Sequence, residues 1–137
     1  MLDTNVLSEF AKPTVDPAVL SWMRMTDELQ MGISVVSIGE IQKGISRMPE
    51  GQRQQDLQVW LDVQLIPRFG NRALPLELSD LQRWGRLLGE AKKSGESLPP
   101  VDTLLAAVAL NRDLIVVTRN TCDFKRTGVE IINPWTQ

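Results

Sequence analysis

Acidic and amide residues recur at several points of this 137-residue chain where a catalytic site could form. The set comprises Asp3, Asn5, Glu40, Asp102, Asn120 and Asp123. Carboxylates gathered in one place repel one another unless a divalent cation neutralises them. Magnesium prefers oxygen ligands, keeps several waters and often contacts just one or two carboxylates. Two such ions about 4 Å apart can activate water and stabilise the leaving oxygen of a phosphodiester, so metal-dependent hydrolysis is one chemistry open to this set.

The absence of histidine narrows the possible chemistry. With no histidine in the chain, a Ser-His-Asp or Cys-His nucleophile, a His-ligated zinc ion and a histidine general base are excluded. Cys122 is the single cysteine, which excludes an internal disulfide and a cysteine-based zinc site. Enzymatic chemistry must therefore rest on Asp, Glu, Lys, hydroxyl groups or a hard metal bound through oxygen.

Most of the candidate residues also have a purely structural interpretation. Asp3 and Asn5 lie where a helix cap is expected, since Asp and Asn are common caps. Asp102 falls in the first turn of a predicted helix, where the macrodipole stabilises a negative charge. Asn120 and Asp123 could be turn residues, and Asp123 could cap a short helical turn. Each interpretation is reasonable alone, but the joint pattern favours a site.

Glu40 has a complete structural interpretation, because Ser37 and Glu40 match the capping box S-x-x-E. On the helix that follows, Glu40, Lys43 and Arg47 share the face opposite the apolar stripe. A Glu40–Lys43 pair on a solvated face would contribute a few tenths of a kcal/mol. The functional alternative is a carboxylate that faces a cleft, with Lys43 and Arg47 near a bound polyanion.

Alternating strand and helix patterns predict the elements that position these residues. Strands are predicted at 30–37, 72–76, 114–118 and 129–133, and helices at 38–48, 51–66, 79–95 and 101–113. This order predicts an α/β fold, a three-layer α/β/α sandwich with a mostly parallel central sheet. In such a sheet the functional cleft lies beyond the carboxyl ends of the strands. The candidate residues follow strand ends or begin the next helix, so we expect them to converge there.

Several local signals refine these elements. Pro75 places the strand 72–76 at an edge of the sheet, and Pro67 ends the helix that begins at residue 51. Ser79 and Gln82 are spaced for a capping box, and Gly95 is placed to stop that helix. The four tryptophans are predicted to lie in the core.

Composition and charge indicate one globular domain over residues 1–137. The chain is 42% hydrophobic and 23% charged, with a formal net charge of -2. No apolar run is long enough to cross a membrane and no secretory signal is recognisable, so a cytoplasmic protein is expected. A general nucleic-acid binder is more often basic, but the net charge does not exclude a local basic rim.

Four segments, in this order, resemble the PIN-domain ribonucleases, and within them the VapC toxins of bacterial toxin–antitoxin modules. The segments are "LDTNVLSE", "SVVSIGEIQKGI", "PPVDTLLAAVAL" and "LIVVTRNTCDF". The stretches "LIPRFGNRALPL" and "INPW" look most like the FitB-type branch. The resemblance implies an endoribonuclease that depends on Mg²⁺ or Mn²⁺ and inhibits translation. It also implies a cognate antitoxin, a small DNA-binding protein, with a homodimer and a larger toxin–antitoxin assembly.

The resemblance carries over to individual residues. It implies that Asp3, Glu40 and Asp102 are the three acids of the site, and that Thr4, Asn5 and Thr118 are the polar residues that orient them. Some members have an Asp where this chain has Asn120, and the nearest acid here is Asp123. Either residue could fill the fourth position, and one or two metal ions could bind. Members usually have several apolar residues before the first Asp, whereas here there are two, so either the first strand is clipped or the native start lies upstream of Met1.

These residues define a predicted mechanism. Asp3 and Asp102 would bind the metal directly or through water, and Glu40 would contact the metal or orient and activate the attacking water. Arg119, Lys43 and Arg47 are the predicted contacts to the RNA backbone. A second hypothesis is a non-catalytic protein that binds its antitoxin and acts with it on operator DNA. A third, an aspartyl-phosphate receiver domain, lacks a matching lysine after a late strand.

Overall fold

A parallel sheet built from very short strands forms the centre of the molecule, whose computed structural model describes residues 1–136. The strands are β1 (Ile33–Ser34), β2 (Ala73–Leu74), β3 (Val116–Val117) and β4 (Ile131–Ile132). β1 pairs with β2, and β3 pairs with β4, both in parallel. Leu2 joins the two pairs, because it forms parallel bridges to Ile33 and Val117. The spatial order is therefore β2, β1, Leu2, β3 and β4, with β2 at an edge as Pro75 predicts.

The strand that leads into Asp3 is reduced to this single bridging residue. The Leu2 amide donates to the Gly32 carbonyl at 2.8 Å, and the Asp3 amide donates to the Val117 carbonyl at 3.0 Å. The Val117 amide in turn donates to the Met1 carbonyl at 2.9 Å. Three backbone hydrogen bonds therefore fix the point at which Asp3 leaves this strand.

Helices cover both faces of the sheet. They are α1 (Thr4–Glu9), α2 (Pro17–Met25), α3 (Val35–Ser46), α4 (Gln52–Val59), α5 (Ile66–Phe69), α6 (Leu78–Lys93), α7 (Pro100–Asn111) and α8 (Thr121–Lys125). A π-helical segment, Trp60–Leu65, joins α4 to α5, and short 3₁₀ turns lie at Glu28–Gln30 and Gly70–Arg72. No helix among the described residues has the length and apolar character to cross a membrane.

Two hydrophobic cores lie on opposite faces of the sheet. The first is built around Leu2, Val6, Leu7, Trp22, Ile33, Ile41, Leu61 and Val117. The second is built around Met1, Leu105, Ala106, Val108, Ala109, Val116, Phe124 and Val129. Successive residues such as Val116 and Val117 enter different cores because side chains alternate across a strand. The predicted three-layer arrangement is thus confirmed, and both cores converge on the strands that end at the candidate residues.

The start of α3 differs from the prediction. Ser34 is the N-cap, and its hydroxyl accepts a hydrogen bond from the Val36 amide at 3.1 Å. Ser37 therefore lies inside the helix, and the predicted capping box of Ser37 and Glu40 is wrong. The earlier serine caps the chain where β1 ends, so tertiary packing overrides the β propensity of Val35 and Val36. The Ser37 hydroxyl is buried without a hydrogen-bond partner among the described residues.

Of the two predictions for the ends of α6, the N-terminal one is wrong and the C-terminal one is confirmed. The capping box is formed by Glu77 and Asp80 instead of Ser79 and Gln82. At the other end Gly95 has a φ of +75°, and the Glu96 amide donates to the Ala91 carbonyl at 2.8 Å. This left-handed glycine closes the helix as predicted.

The helix that begins near residue 51 continues past Pro67, contrary to the prediction. Pro67 sits in the first turn of α5, where the hydrogen bonds of the preceding π-helical segment already differ from those of an α-helix. A proline in this position costs little because its missing N–H is not needed.

Asp80 is a fully buried carboxylate that ties α6 to α7. It accepts hydrogen bonds from Arg112 and Asn111, each at 2.8 Å, and from the Glu77 amide at 2.9 Å. Burial alone would raise the pKa of Asp80, but the hydrogen bonds from Arg112, Asn111 and Glu77 outweigh it and lower the pKa. The carboxylate is therefore ionised and fully compensated.

We predict that Asp80→Asn lowers the free energy of unfolding by about 3 kcal/mol at pH 7, because it leaves Arg112 without its buried partner. Since the folded pKa is lowered, the wild-type advantage is present at neutral pH and shrinks as the pH falls through the acid range. Urea denaturation at pH 7 and near pH 3.5 measures this difference. Asp56→Asn, at an exposed position, is the matched control and should change little at either pH; an equal loss in both variants would contradict the assignment.

Candidate active site

Asp3 directly follows the bridging residue Leu2 and lies at the centre of the candidate site. Its carboxylate is buried. One oxygen, Oδ1, accepts from the Thr4 amide at 2.7 Å. The other, Oδ2, accepts from Asn5 Nδ2 at 2.8 Å and from the Thr118 hydroxyl at 2.7 Å. Asp3 is thus the N-cap of α1, as the structural interpretation predicts, and its role as a site residue stays a prediction. Each carboxylate oxygen accepts about two hydrogen bonds, so Oδ1, with one donor among the described residues, has a second lone pair without a donor.

Thr118 and Asn5 form the support of Asp3. Thr118 is fully buried at the end of β3 and also accepts hydrogen bonds from Asn5 Nδ2 at 3.0 Å and from the Asn120 amide at 2.9 Å. Thr4 contributes its backbone amide, and its hydroxyl is buried without a partner among residues 1–136. The structure thus brings Asn5 and Thr118 together around Asp3, in the arrangement expected of residues that orient it.

A second group of acids is organised by Asn120. Its Nδ2 donates to Asp102 Oδ2 at 3.1 Å and to Asp123 Oδ2 at 2.5 Å. Asp102 lies in the first turn of α7, and Asp123 lies in the short helix α8. Asn120 therefore holds the two carboxylates, while Asp123 supplies the charge that an amide lacks. Which of the two fills the fourth position of the site stays a prediction.

Glu40 lies on α3 and forms an ion pair. Its carboxylate receives a hydrogen bond from Lys43 Nζ at 2.7 Å, with the two side chains 29% and 57% exposed. This is the pair expected from the structural interpretation. The charge of Glu40 nevertheless contributes to raising the pKa of both Asp3 and Asp102, so Glu40 lies within electrostatic reach of both acids.

The electrostatics show that these acids form one group. Burial, and then the negative charges of Asp3, Asp123 and Glu40, raise the pKa of Asp102 to about 6. Burial also raises the pKa of Asp3, although its hydrogen bonds from Thr118, Thr4 and Asn5 act in the opposite direction. The carboxylates therefore destabilise one another in their ionised forms, which is the condition that a bound cation relieves.

The donor set fits a hydrated hard cation better than a closed metal site. Among residues 1–136, no three Asp, Glu, His or Cys side chains come close enough to hold a metal ion by themselves. Magnesium and manganese sites need just one or two carboxylates when water supplies the remaining ligands. The open lone pair of Asp3 and the mutual repulsion of the acids match that requirement. That Asp3 and Asp102 hold the ion, with Glu40 as a third ligand, stays a prediction.

The three cations predicted to contact RNA occupy different environments. Lys43 is paired with Glu40. Arg47 is exposed at the C-terminal end of α3. Arg119 is exposed and directly follows Thr118, and its guanidinium lies over the Trp135 ring at 5.2 Å from the centroid. Their contact with RNA stays a prediction.

Trp135 is the neighbour of the site that sequence reasoning missed. Its aromatic character suggested a core residue, and it does pack against the first core while remaining partly exposed. Trp135 lies three residues after β4, which pairs in parallel with β3. This position is the signal that could have placed Trp135 beside Arg119.

Comparison with known proteins supports a single family. The model of the PIN domain family matches residues 1–130. VapC ribonuclease Y4jK of Sinorhizobium fredii is 35% identical over 135 residues, covering 98% of this chain and 96% of that protein. Toxin FitB of Neisseria gonorrhoeae is 28% identical over 135 residues, with 98% and 97% of the two chains covered. The structure of FitAB bound to the IR36 DNA fragment matches with a TM-score of 0.90 at 26% identity, covering 99% and 95%.

We predict that Asp102→Asn stabilises the metal-free protein by about 1 kcal/mol at pH 7, because solvent screens part of the repulsion at this half-exposed carboxylate. The folded pKa of Asp102, about 6, lies above its unfolded value. Wild-type stability should therefore fall as the pH rises from about 4 to 6, and the variant should lack this loss.

Urea denaturation in EDTA at several pH values measures the effect. Glu90→Gln, at an exposed position on α6, is the matched control and should follow the wild-type profile. Identical pH profiles for wild type and Asp102→Asn would contradict the repulsion inferred for the site.

Proposed function

Because the chain belongs to the PIN-domain family, and within it to the VapC ribonucleases, we propose that it is the toxin of a type II toxin–antitoxin module and hydrolyses RNA with Mg²⁺ or Mn²⁺. One observation carries the chemical part. Asp3, fixed by Thr118 and Asn5, lies within electrostatic reach of Asp102. Inhibition of translation would follow from cleavage of RNA in the cytoplasm.

Each residue of the site has a separate role in the proposed reaction. Asp3 and Asp102 would hold the cation, which when bound polarises the phosphate and stabilises the leaving 3′ oxygen. Thr118 and Asn5 orient Asp3 through their hydrogen bonds, which act against the rise in its pKa that burial causes. Asn120 does the same for Asp102 and ties it to Asp123.

Glu40 is assigned to the attacking water. It lies on a different element from the other acids, α3, yet its charge is felt by Asp3 and Asp102. A carboxylate in this position can orient a water and accept its proton. The Glu40 carboxylate is paired with Lys43 Nζ at 2.7 Å, and Lys43 is the more exposed partner of this ion pair.

The partners follow from the same family. We infer a cognate antitoxin, a small DNA-binding protein that holds the toxin in check, together with an RNA substrate and a homodimer that joins a larger assembly. An acidic site binds a polyanion poorly without its metal, so RNA binding is coupled to the divalent ion.

A second function has its own observation. The structure of FitAB in complex with a DNA fragment supports a role in which this chain binds its antitoxin and acts with it on operator DNA. Purified chain that leaves all RNA intact with Mn²⁺, yet binds a basic partner peptide, would favour this binding role over catalysis.

We predict that the purified chain cleaves single-stranded RNA with Mg²⁺ or Mn²⁺ and stops when EDTA is added. Asp102→Asn should abolish cleavage because it removes a ligand charge. Thr118→Val should reduce it by about 10- to 100-fold, since Asp3 loses a hydrogen bond that orients it. Gel analysis of labelled RNA measures the rates.

Glu90→Gln again serves as the control and should cleave at the wild-type rate. Cleavage that survives EDTA, or that Asp102→Asn leaves unchanged, would contradict the metal-dependent mechanism.

A further inference from the structure

Arg119 lies next to the acids yet forms an interaction with an aromatic ring. Its backbone amide donates to Asn5 Oδ1 at 3.3 Å, and Asn5 in turn binds Asp3. Its chain neighbour Asn120 contacts Asp102 and Asp123. The guanidinium itself lies over Trp135 at 5.2 Å from the ring centroid.

The sheet register brings these two residues together. β3 and β4 run parallel, and the Thr118 amide donates to the Ile132 carbonyl at 2.9 Å. The chain therefore leaves both strands at the same edge, with Arg119 on one side and Trp135 on the other. The Trp135 amide donates to Asn133 Oδ1 at 3.0 Å, and the indole packs against the first core. Trp135 is thus a fixed surface and not a mobile side chain.

The absence of an ion pair at Arg119 is unexpected on electrostatic grounds. A flexible cation beside a group of carboxylates normally pairs with one of them, as Lys43 does with Glu40 at 2.7 Å. Within residues 1–136, Arg119 forms no ion pair with an acid. Lys43 lies one helical turn from Glu40, whereas the Arg119 guanidinium lies over the Trp135 indole. Attraction of a guanidinium to the face of a tryptophan is the strongest of the aromatic cation–π interactions.

We propose that Trp135 is a positioning residue that holds the Arg119 guanidinium away from the carboxylates. This keeps Asp3 and Asp102 open to the divalent cation and presents Arg119 to a phosphate of the RNA backbone. The inference rests on the proposed function, and it adds Trp135 as a residue that acts through Arg119. In this arrangement Arg119 does not compete with the metal for the carboxylates.

Replacing the indole should redirect the arginine. In Trp135→Leu the apolar contact with the core is largely kept, but the guanidinium loses its aromatic surface and pairs with an acid. Loss of an exposed cation–π interaction shifts the equilibrium of Arg119, from lying over the ring to pairing with an acid, by roughly two- to fivefold. Mn²⁺ binding should therefore weaken by about that factor. Trp135→Phe keeps an aromatic face and should bind Mn²⁺ with nearly wild-type affinity.

Calorimetric titration of the purified chain with Mn²⁺ alone tests the inference without any RNA. Four proteins besides the wild type are compared: Trp135→Leu, Trp135→Phe, Arg119→Gln and the double variant of Trp135→Leu with Arg119→Gln. Arg119→Gln should not weaken Mn²⁺ binding, and in the double variant it should cancel the loss caused by Trp135→Leu. Such cancellation in a double-mutant cycle is not expected if Trp135 has only a structural role.

Kinetics at saturating Mn²⁺ give a second readout. Trp135→Leu and Arg119→Gln should each raise KM for a short single-stranded RNA while kcat changes little, because the phosphate contact aids binding. Arg119→Gln should also reduce the slope of log affinity against log salt by about 0.7, the value for one phosphate contact on a single strand.

The outcomes separate this inference from the proposed function. Unchanged Mn²⁺ affinity in Trp135→Leu overturns the inference alone, and so does an affinity loss that persists in the double variant. A wild-type protein that binds no Mn²⁺ overturns the proposed metal-dependent function, and the inference with it.

Discussion

The hydrogen bond from Thr118 to Asp3 is the contact on which the site depends. It joins residues 115 positions apart in the chain at 2.7 Å, and it is buried. Backbone hydrogen bonds fix the main chain at Asp3, whereas the orientation of its carboxylate depends on neighbouring donors. Thr118, Asn5 and the Thr4 amide together supply the donors. They reduce the cost of burying this negative charge, because hydrogen bonds to the ionised form offset part of its desolvation.

Two carboxylates of this protein, Asp80 and Asp102, have pKa values that their surroundings shift in opposite directions. Asp80 is fully buried, but Arg112 and Asn111 compensate it, so the pKa is lowered and the group stabilises the fold. Asp102 is less buried, yet it faces other acids with one amide as its hydrogen-bond donor, so the pKa is raised. The first arrangement is complete without a ligand. The second would gain stability from a bound cation, which is the contrast expected between a structural carboxylate and one in the proposed site.

The sequence predicts the layers and the converging acids better than it predicts the local ends of elements. Alternating patterns are long-range signals, and the rule that parallel strands end at one edge needs no side-chain detail. The capping of α3 failed because Ser34 and Ser37 are both good caps, and packing selected the earlier one. Pro67 failed as a helix stop because it falls within the first turn of α5, just after a π-helical segment. Trp135 was missed because its contact with Arg119 depends on the register of β3 and β4, which periodicity does not encode.

The bridge made by Leu2 has a consequence for when activity can arise. It links a residue at the beginning of the chain to Ile33 and to Val117, and the Asp3 amide is bound by the Val117 carbonyl. Pairing over such a separation forms late, because the cost of closing a long loop precedes any gain from the contact. On a ribosome, the hydrogen bonds from β3 to Asp3 can form only after residue 118 has been synthesised. A growing chain that stops before this point therefore lacks the support of Asp3, and the topology itself delays assembly of the proposed nuclease site.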